Sequence, residues 1–358
     1  MSRFIAKEYK DLSAYVPGEQ PRDMQYIKLN TNENPYPPAP AVVNAITAED
    51  IRLLRLYSDP TCKALKEKIA DLEGVSAENV FIGNGSDEVL SFLFMAYAKD
   101  FGVAFPDISY GFYSVYAALY GAEAAVIPLK EDFTVDCDAY CGLNKMVVIA
   151  NPNAPTGISA PVSALEKIVV SNPDTVVVID EAYVDFGGES CLPLIEKYDN
   201  LAVVRTFSKS RSLAGGRLGY CFASSAIIAD LEKLRYSTNP YNVDRLTLRI
   251  GEAIIDNDGY TREICKKIVS TREETYKTLA QMGFSVIPSD TNFLFAKYPG
   301  VLGKYLYEAL KKRGILIRHF PAERTKDYIR ITIGTDDEMD TFCKVIKEIL
   351  EESQNAKG

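Results

Sequence analysis

Histidine is almost absent from this sequence: His319 is the only one in 358 residues. That excludes a multi-histidine zinc site. A Ser-His-Asp triad would have to use His319, and no nucleophile elbow occurs in the chain. A partly buried loop or strand-end histidine is the plainer reading. C-x-x-C pairs are missing too. The seven cysteines (62, 137, 141, 191, 221, 265 and 343) are odd in number and irregularly spaced, which fits reduced thiols rather than a disulfide framework. No uninterrupted apolar stretch approaches the ~20 residues that span a bilayer. The opening residues, Met1-Ser2-Arg3-Phe4-Ile5-Ala6-Lys7-Glu8, lack the apolar run of a secretory signal. A cytoplasmic protein without a membrane segment is therefore expected. A basic excess is lacking as well: the net charge is −9 and the pI ≈ 5.0, which argues against a nucleic-acid surface. A few arginines can still draw a small anion into a cleft.

What is present centres on one lysine, in Thr206-Phe207-Ser208-Lys209-Ser210-Arg211-Ser212-Leu213-Ala214-Gly215-Gly216-Arg217. It directly follows the apolar, β-favouring run 201–207, so Lys209 is expected at the carboxyl end of a strand, where open α/β sheets bind ligands. A Schiff-base amine needs partial desolvation and a nearby cation to lower its pKa. Arg217 fits that role, and an arginine there can equally hold a phosphate in a bidentate grip. Pyridoxal 5′-phosphate supplies both an aldehyde and a phosphate, so the phrase points to that cofactor.

Length suggests about two domains. Short β-rich runs alternate with helical patterns, which reads as an α/β fold with a largely parallel sheet. Strands are expected at 80–83, 102–105, 124–128, 146–150, 175–180, 201–207 and 219–223, with helices at 61–72, 87–98, 111–119, 161–170 and 226–235. These make a large domain over 41–245. A long amphipathic helical stretch follows from Val243 to about Met282, with a break at Asn257-Asp258-Gly259. Strands at 291–297, 315–319 and 328–333 and a helix at 336–351 then make a smaller α/β domain over 246–358. The tail from Glu352 is expected to fray. Residues 1–40 form an N-terminal arm, whose Pro- and Asn-rich part, 18–40, reads as extended rather than as core.

Further phrases carry chemistry. Gly83-Asn84-Gly85-Ser86-Asp87-Glu88 follows a strand and opens a helix. Ser86 suits the N-cap, Asp87 and Glu88 suit the first turn, and the glycines free amides at the helix N-terminus for a phosphate. A plain capped turn is the alternative. In Val176-Val177-Val178-Ile179-Asp180-Glu181-Ala182-Tyr183 an acid emerges from a β-branched run. A buried, unpaired carboxylate is costly, and a pyridinium nitrogen is a fitting partner for Asp180; a helix-capping aspartate is the other reading. Tyr183 is placed to donate to the cofactor's phenolate oxygen. Asn151-Pro152-Asn153-Ala154-Pro155-Thr156-Gly157 is a stiff turn at a strand end. Tyr110 follows another strand and suits stacking on a planar ring. Arg330, inside Tyr328-Ile329-Arg330-Ile331-Thr332-Ile333-Gly334, is a charge in an apolar β run. Facing outward it is a surface residue; facing inward it needs an anion, and a substrate carboxylate would serve. Arg318 is of the same kind.

In this order, these segments resemble the fold-type I aminotransferases that use pyridoxal phosphate, over nearly the whole chain. The arm narrows the resemblance. Tyr15-Val16-Pro17-Gly18-Glu19-Gln20-Pro21 and Leu29-Asn30-Thr31-Asn32-Glu33-Asn34-Pro35-Tyr36-Pro37-Pro38 are similar to the histidinol-phosphate aminotransferase family, as is Arg330-Ile331-Thr332-Ile333-Gly334-Thr335. The resemblance implies Lys209 as the Schiff-base lysine, Asp180 on the pyridine nitrogen, Tyr183 on the phenolate oxygen and Tyr110 over the ring. It implies a phosphate site at Gly85, Ser86, Asp87, Ser208 and Arg217. Tyr57, in Tyr57-Ser58-Asp59-Pro60, matches a tyrosine given to that phosphate by the neighbouring subunit, so a homodimer with shared sites is implied. Arg330 would take the α-carboxylate of the amino donor, with Arg318 and Tyr15 lining the substrate end. One position departs. Relatives often carry an asparagine just before Pro-Thr-Gly that contacts the phenolate oxygen, and this chain has Ala154 there. Either Asn153 reaches the ring instead, or Tyr183 carries that contact alone.

The activity implied is transamination of small molecules, histidinol phosphate with 2-oxoglutarate, in histidine biosynthesis. Aromatic amino-acid transamination and a pyridoxal-phosphate decarboxylase acting on a phosphorylated amino acid are the alternatives. A non-catalytic sensor on the same fold would be expected to add a DNA-binding segment, and none is visible.

Overall fold

Runs of β-branched and small apolar residues form the centre of the protein, seen here in a computed structural model that describes residues 2–355. Seven strands lie in the spatial order Val80–Gly83, Gly219–Ala223, Leu201–Thr206, Val177–Asp180, Met146–Ala150, Val103–Pro106 and Ala124–Ile127. Pairing is parallel from Leu201–Thr206 out to Ala124–Ile127, and only Gly219–Ala223 runs against its neighbours. Six of the seven strands are buried along their whole length. Burial on both faces explains why they read as continuous apolar runs rather than alternating ones. All seven expected strands form within two residues of their expected bounds.

Helices cover both faces. The expected ones form as Lys63–Glu73, Gly85–Phe101, Phe112–Leu119, Val162–Ser171 and Ser225–Thr238. The long stretch after Val243 is two helices. Asp244 caps Arg245–Asp256 by accepting the Leu246 and Thr247 amides at 2.9 and 3.0 Å. Asn257 then interrupts, at the expected break, before Asp258–Gln281. Among the described residues no helix is long and apolar enough to cross a membrane.

A second sheet is wholly antiparallel, in the order Arg318–His319, Tyr328–Thr332, Phe293–Lys297 and Ser285–Ile287. It shares a core with the helices Gly303–Lys312 and Asp336–Asn355, through Leu306, Leu310, Phe342 and Ile346. Several expectations are corrected here. The run 315–319 is not one strand. Ile315–Leu316 pairs in parallel with Ile27–Lys28, while Arg318–His319 joins the antiparallel sheet. Nor is the arm segment merely extended chain. Leu29, Asn30 and Asn32 are each 1% exposed, because Ile27 and Leu29 pack into the core of the second sheet. The strand Ser285–Ile287 and the helix Gly303–Lys312 were not expected. The last helix continues through Glu352, where fraying was expected, with Arg313 paired to Glu348 and Glu352 at 3.5 and 2.6 Å; residues 356–358 of that tail lie outside the described residues.

Candidate active site

Parallel strands place their carboxyl ends along one edge, and there the chain's polar loops meet around a cavity of about 270 Å³. Thr206, Ser208 and Lys209 enter from the end of Leu201–Thr206, and Asp180, Ala182 and Tyr183 from the end of Val177–Asp180. Ala150 and Ala154 come from Met146–Ala150 and its loop, and Tyr110 from the loop after Val103–Pro106. Thr31 and Glu33, from the arm, close the remaining side. The Lys209 Nζ donates to the Thr31 carbonyl oxygen at 3.2 Å and sits 5.7 Å from the centre of the Tyr183 ring.

At one end the wall is the first turn of Gly85–Phe101, with Ser86 and Asp87 in it. Ser86 is not the N-cap that was expected. The helix starts at Gly85 after Asn84, whose side chain caps nothing, while Glu88 reaches back to accept the Asn84 amide at 2.7 Å. The positive end of the helix dipole therefore faces this end of the cavity. Arg217 adds a cation, its Nη2 lying 2.8 Å from Asp87 Oδ2, and Tyr110 donates to Asp87 Oδ1 at 2.6 Å. Burial, reinforced by the Asp87 carboxylate, pushes the Tyr110 phenol far up, so it stays a donor. Gly219 lets the neighbouring strand press against this turn. A Cβ there would lie far inside contact distance of the Ser86 amide nitrogen and of Gly85. Gly219→Ala is expected to lower stability by about 1–3 kcal/mol, read from the urea midpoint, because two backbones must part.

Asp180, also in the cavity wall, is 4% exposed. It accepts from the Tyr113 hydroxyl at 2.8 Å and from the Ala182 amide at 3.2 Å. Burial pushes its carboxyl up to about 6 despite these two donors. No lysine or arginine pairs with it among the described residues. A carboxylate in such a place calls for a cation.

A second cavity, of about 420 Å³, adjoins the first. Thr31, Tyr110, Ala154, Tyr183 and Lys209 belong to the walls of both, so the amine stands at their junction. Its far side carries Tyr15, Arg318 and Arg330. Arg330 Nη2 donates to the Asn30 carbonyl at 3.0 Å, while its buried Nε has no partner among the described residues. Burial lowers its pKa, the mark of a cation short of counter-charge. Arg318 holds the Val16 and Pro17 carbonyls at 3.3 Å, and Tyr15 stacks on Phe112 with ring centres 4.1 Å apart.

The sequence profile of the family "aminotransferase class I and II" matches residues 24–346. This chain belongs to that family. It is 47% identical to histidinol-phosphate aminotransferase of Brachyspira hyodysenteriae, over 98% of this chain and 99% of that one. It is 48% identical to the enzyme of the same name from Clostridium acetobutylicum, over 98% and 100%. The structure of histidinol-phosphate aminotransferase from Sinorhizobium meliloti in complex with pyridoxal-5′-phosphate superposes with a TM-score of 0.83, at 25% identity over 92% of each chain. L-threonine-O-3-phosphate decarboxylase from Porphyromonas gingivalis shares the fold, with a TM-score of 0.79 at 21% identity over 91% and 99%. The fold is thus that of the fold-type I aminotransferases.

In this aminotransferase the two cavities gather nearly all the residues singled out from sequence. Ser86, Asp87, Tyr110, Asp180, Tyr183, Ser208, Lys209 and Arg217 line the first, and Tyr15, Arg318 and Arg330 the second. Gly85 stands behind Arg217, where a Cβ would meet the guanidinium. Two residues stand apart. Tyr57 is 77% exposed, stacked on Tyr241 with centres 4.3 Å apart, and belongs to neither cavity of its own chain. Asn153 is 1% exposed and its amide is committed elsewhere. It donates to Ile108 O and Thr156 Oγ1, each at 2.9 Å, and accepts from Ser109 Oγ at 2.8 Å. It braces the loop and does not line the cavity, because three partners already hold it. His319 lies outside both cavities, with Nε2 2.8 Å from Lys326 O. Sequence reasoning missed Tyr113, whose contact with Asp180 spans 67 residues and leaves no local signal. Thr31, Asn32 and Glu33 were quoted only as part of a family phrase.

Proposed function

We propose that this aminotransferase exchanges an amino group between histidinol phosphate and 2-oxoglutarate, giving imidazole acetol phosphate and glutamate, with pyridoxal 5′-phosphate in the smaller cavity. One observation carries the reading. Lys209 stands between a cavity with an uncompensated buried carboxylate and another with an arginine short of an anion. The residues suit the cofactor. Asp180 supplies the partner a protonated ring nitrogen needs. Ser86, Ser208, Arg217 and the start of Gly85–Phe101 suit its phosphate, and Tyr110 and Tyr183 flank its ring. When bound, this cofactor withdraws electrons from the substrate's Cα. Everything else is the work of side chains. Arg330, Arg318 and Tyr15 hold the anionic group of the substrate, carboxylate or phosphate, so that Cα faces Lys209. The Lys209 Nζ would take the proton from Cα and deliver it to the cofactor carbon that bore the aldehyde, a transfer over a short, fixed path. The amino group thereby stays with the cofactor and the substrate leaves as a ketone. Asp180 stays ionised opposite its cation throughout.

The substrate assignment is supported by the names of relatives identical at nearly half of all positions along the whole chain. The same reading makes the protein a cytoplasmic homodimer. Exposed Ile51, Leu54, Leu56 and Tyr57 offer the apolar surface a second copy would cover, carrying Tyr57 to the partner's phosphate site. It divides the chain into the arm (1–40), a large domain (41–245) and a small one (246–358).

The test is a single-turnover absorbance experiment on purified protein with cofactor bound. Added histidinol phosphate should convert the cofactor to its amine form, with a ketone product. A response to aromatic amino acids but not to histidinol phosphate would overturn the substrate. Released carbon dioxide in place of ketone would make the protein a decarboxylase. No cofactor signal at all would remove the enzymatic reading.

A further inference from the structure

Tyr183 lines both cavities, and its phenol turns freely about its C–O bond and needs a neighbour to aim its proton. Ala154, beside it in the cavity wall, has no group to do so, and the Asn153 amide is committed elsewhere. The neighbour that reaches it comes from the arm, 151 residues away: Asn32 Nδ2 donates to the Tyr183 hydroxyl oxygen at 2.8 Å. Once that oxygen accepts from Asn32, its own proton must point elsewhere, and the cavities that Tyr183 lines are open to it.

Asn32 is itself held on every side. Its Oδ1 accepts from Thr332 Oγ1 at 3.0 Å, which fixes which end of the amide meets the tyrosine. Its backbone amide donates to the same Thr332 Oγ1 at 3.0 Å, and its carbonyl accepts from Asn292 Nδ2 at 3.0 Å. Its φ is +56°, a left-handed conformation that asparagine tolerates better than most side chains. Thr332 is two residues from Arg330 on one strand. A single residue thus ties the arm, the Tyr183 loop and the second sheet together.

We propose that Asn32 is the positioning residue that aims the Tyr183 proton at the ring oxygen of the bound cofactor, so that the arm completes the cofactor pocket. This rests on the functional reading above. A proton donated to that oxygen favours its anionic form, and with it the deprotonated state of the cofactor joined to Lys209. Losing the aim raises the pH at which that state appears.

The measurement is the pH midpoint of the bound cofactor's visible absorbance. Asn32→Gly keeps the backbone bonds and the left-handed φ, and should raise the midpoint by about one pH unit. Asn32→Asp offers Tyr183 only acceptors, draws its proton away from the ring, and should raise the midpoint further. Tyr183→Phe should shift it as well, and Asn32→Gly should add nothing in the Tyr183→Phe background, since both changes remove one interaction. An unchanged midpoint in both Asn32 variants overturns the inference, and so do shifts that add in the double variant. Failure of the wild type to take up the cofactor overturns the functional reading first and this inference with it. A normal wild-type titration with indifferent Asn32 variants overturns this inference alone.

Discussion

Lys209→Ala is expected to lower kcat by about 10⁴-fold or more while leaving the fold intact. On the function proposed above, two losses would combine in one side chain: the nucleophile that tethers the cofactor, and the base that carries the Cα proton. The rest of the cavity keeps its shape, because among the described residues the Lys209 amine gives a single hydrogen bond, to Thr31 O. The thermal midpoint without cofactor should therefore move by only a few degrees. Cofactor should still bind, held by its phosphate and by Asp180, but without a covalent link. A small primary amine in solution should restore part of the proton transfer, which separates loss of the base from loss of the site. Retention of activity within tenfold of wild type would mean that another group moves the proton.

Asp180→Asn is the second large effect, and it reverses sign with the cofactor. In the loaded enzyme the variant leaves a buried cation without its counter-charge. Such truncations cost about 2–5 kcal/mol, so kcat should fall by roughly 30- to 5,000-fold. Without cofactor the same change should stabilise. The Asp180 carboxyl titrates at about 6 in the folded protein, because burial outweighs the Tyr113 and Ala182 hydrogen bonds. In the unfolded chain an aspartate titrates near about 3.9. Below about pH 4 both states are protonated and nothing is lost. As pH rises from about 4 to about 6, the unfolded state gives up its proton while the folded state keeps it, so folding stability falls by about 3 kcal/mol, and the loss persists above. Urea titrations of the cofactor-free proteins should show Asp180→Asn the more stable at pH 7.5, with the gap closing towards pH 4. With cofactor the order should invert. A wild type as stable as the variant at pH 7.5 without cofactor would mean that the carboxylate already has a partner.

Much of this was legible in the chain because its central strands are buried on both faces. Continuous runs such as Val176-Val177-Val178-Ile179 can sit nowhere else, and the first polar residue after each run marks a strand end. Asp180 and Lys209 were therefore placed from sequence, and the structure sets both in one cavity wall. The second sheet was less legible. Ser285–Ile287 is three residues on an edge, too short to carry a pattern, and Ile315–His319 reads as one strand although its two halves serve different partners. The arm was misread for a related reason. Its prolines and asparagines signal loop, and only contact with residues some 300 positions away makes Leu29 and Asn32 core. Ser86 is not the cap because the helix begins one residue earlier, at Gly85, with Asn84 in the N-cap position, a one-residue shift that spacing alone does not decide.

The pairing of Ile27–Lys28 with Ile315–Leu316, and of Asn32 with Thr332, also sets a timetable. Translation runs at about 5–20 residues per second, so the arm leaves the ribosome roughly 15–60 s before the strand that seats it. During that interval the strand ends bearing Asp180 and Lys209 are already synthesised, yet the wall made by Thr31 and Asn32 cannot close. Stable capture of the cofactor is then an event of the finished polypeptide. A nascent chain stalled before Tyr328–Thr332 would expose its Lys209 amine to any free aldehyde in the cell, and truncation in the last tenth of the protein would leave open a pocket that still holds Lys209, Asp180 and Tyr183.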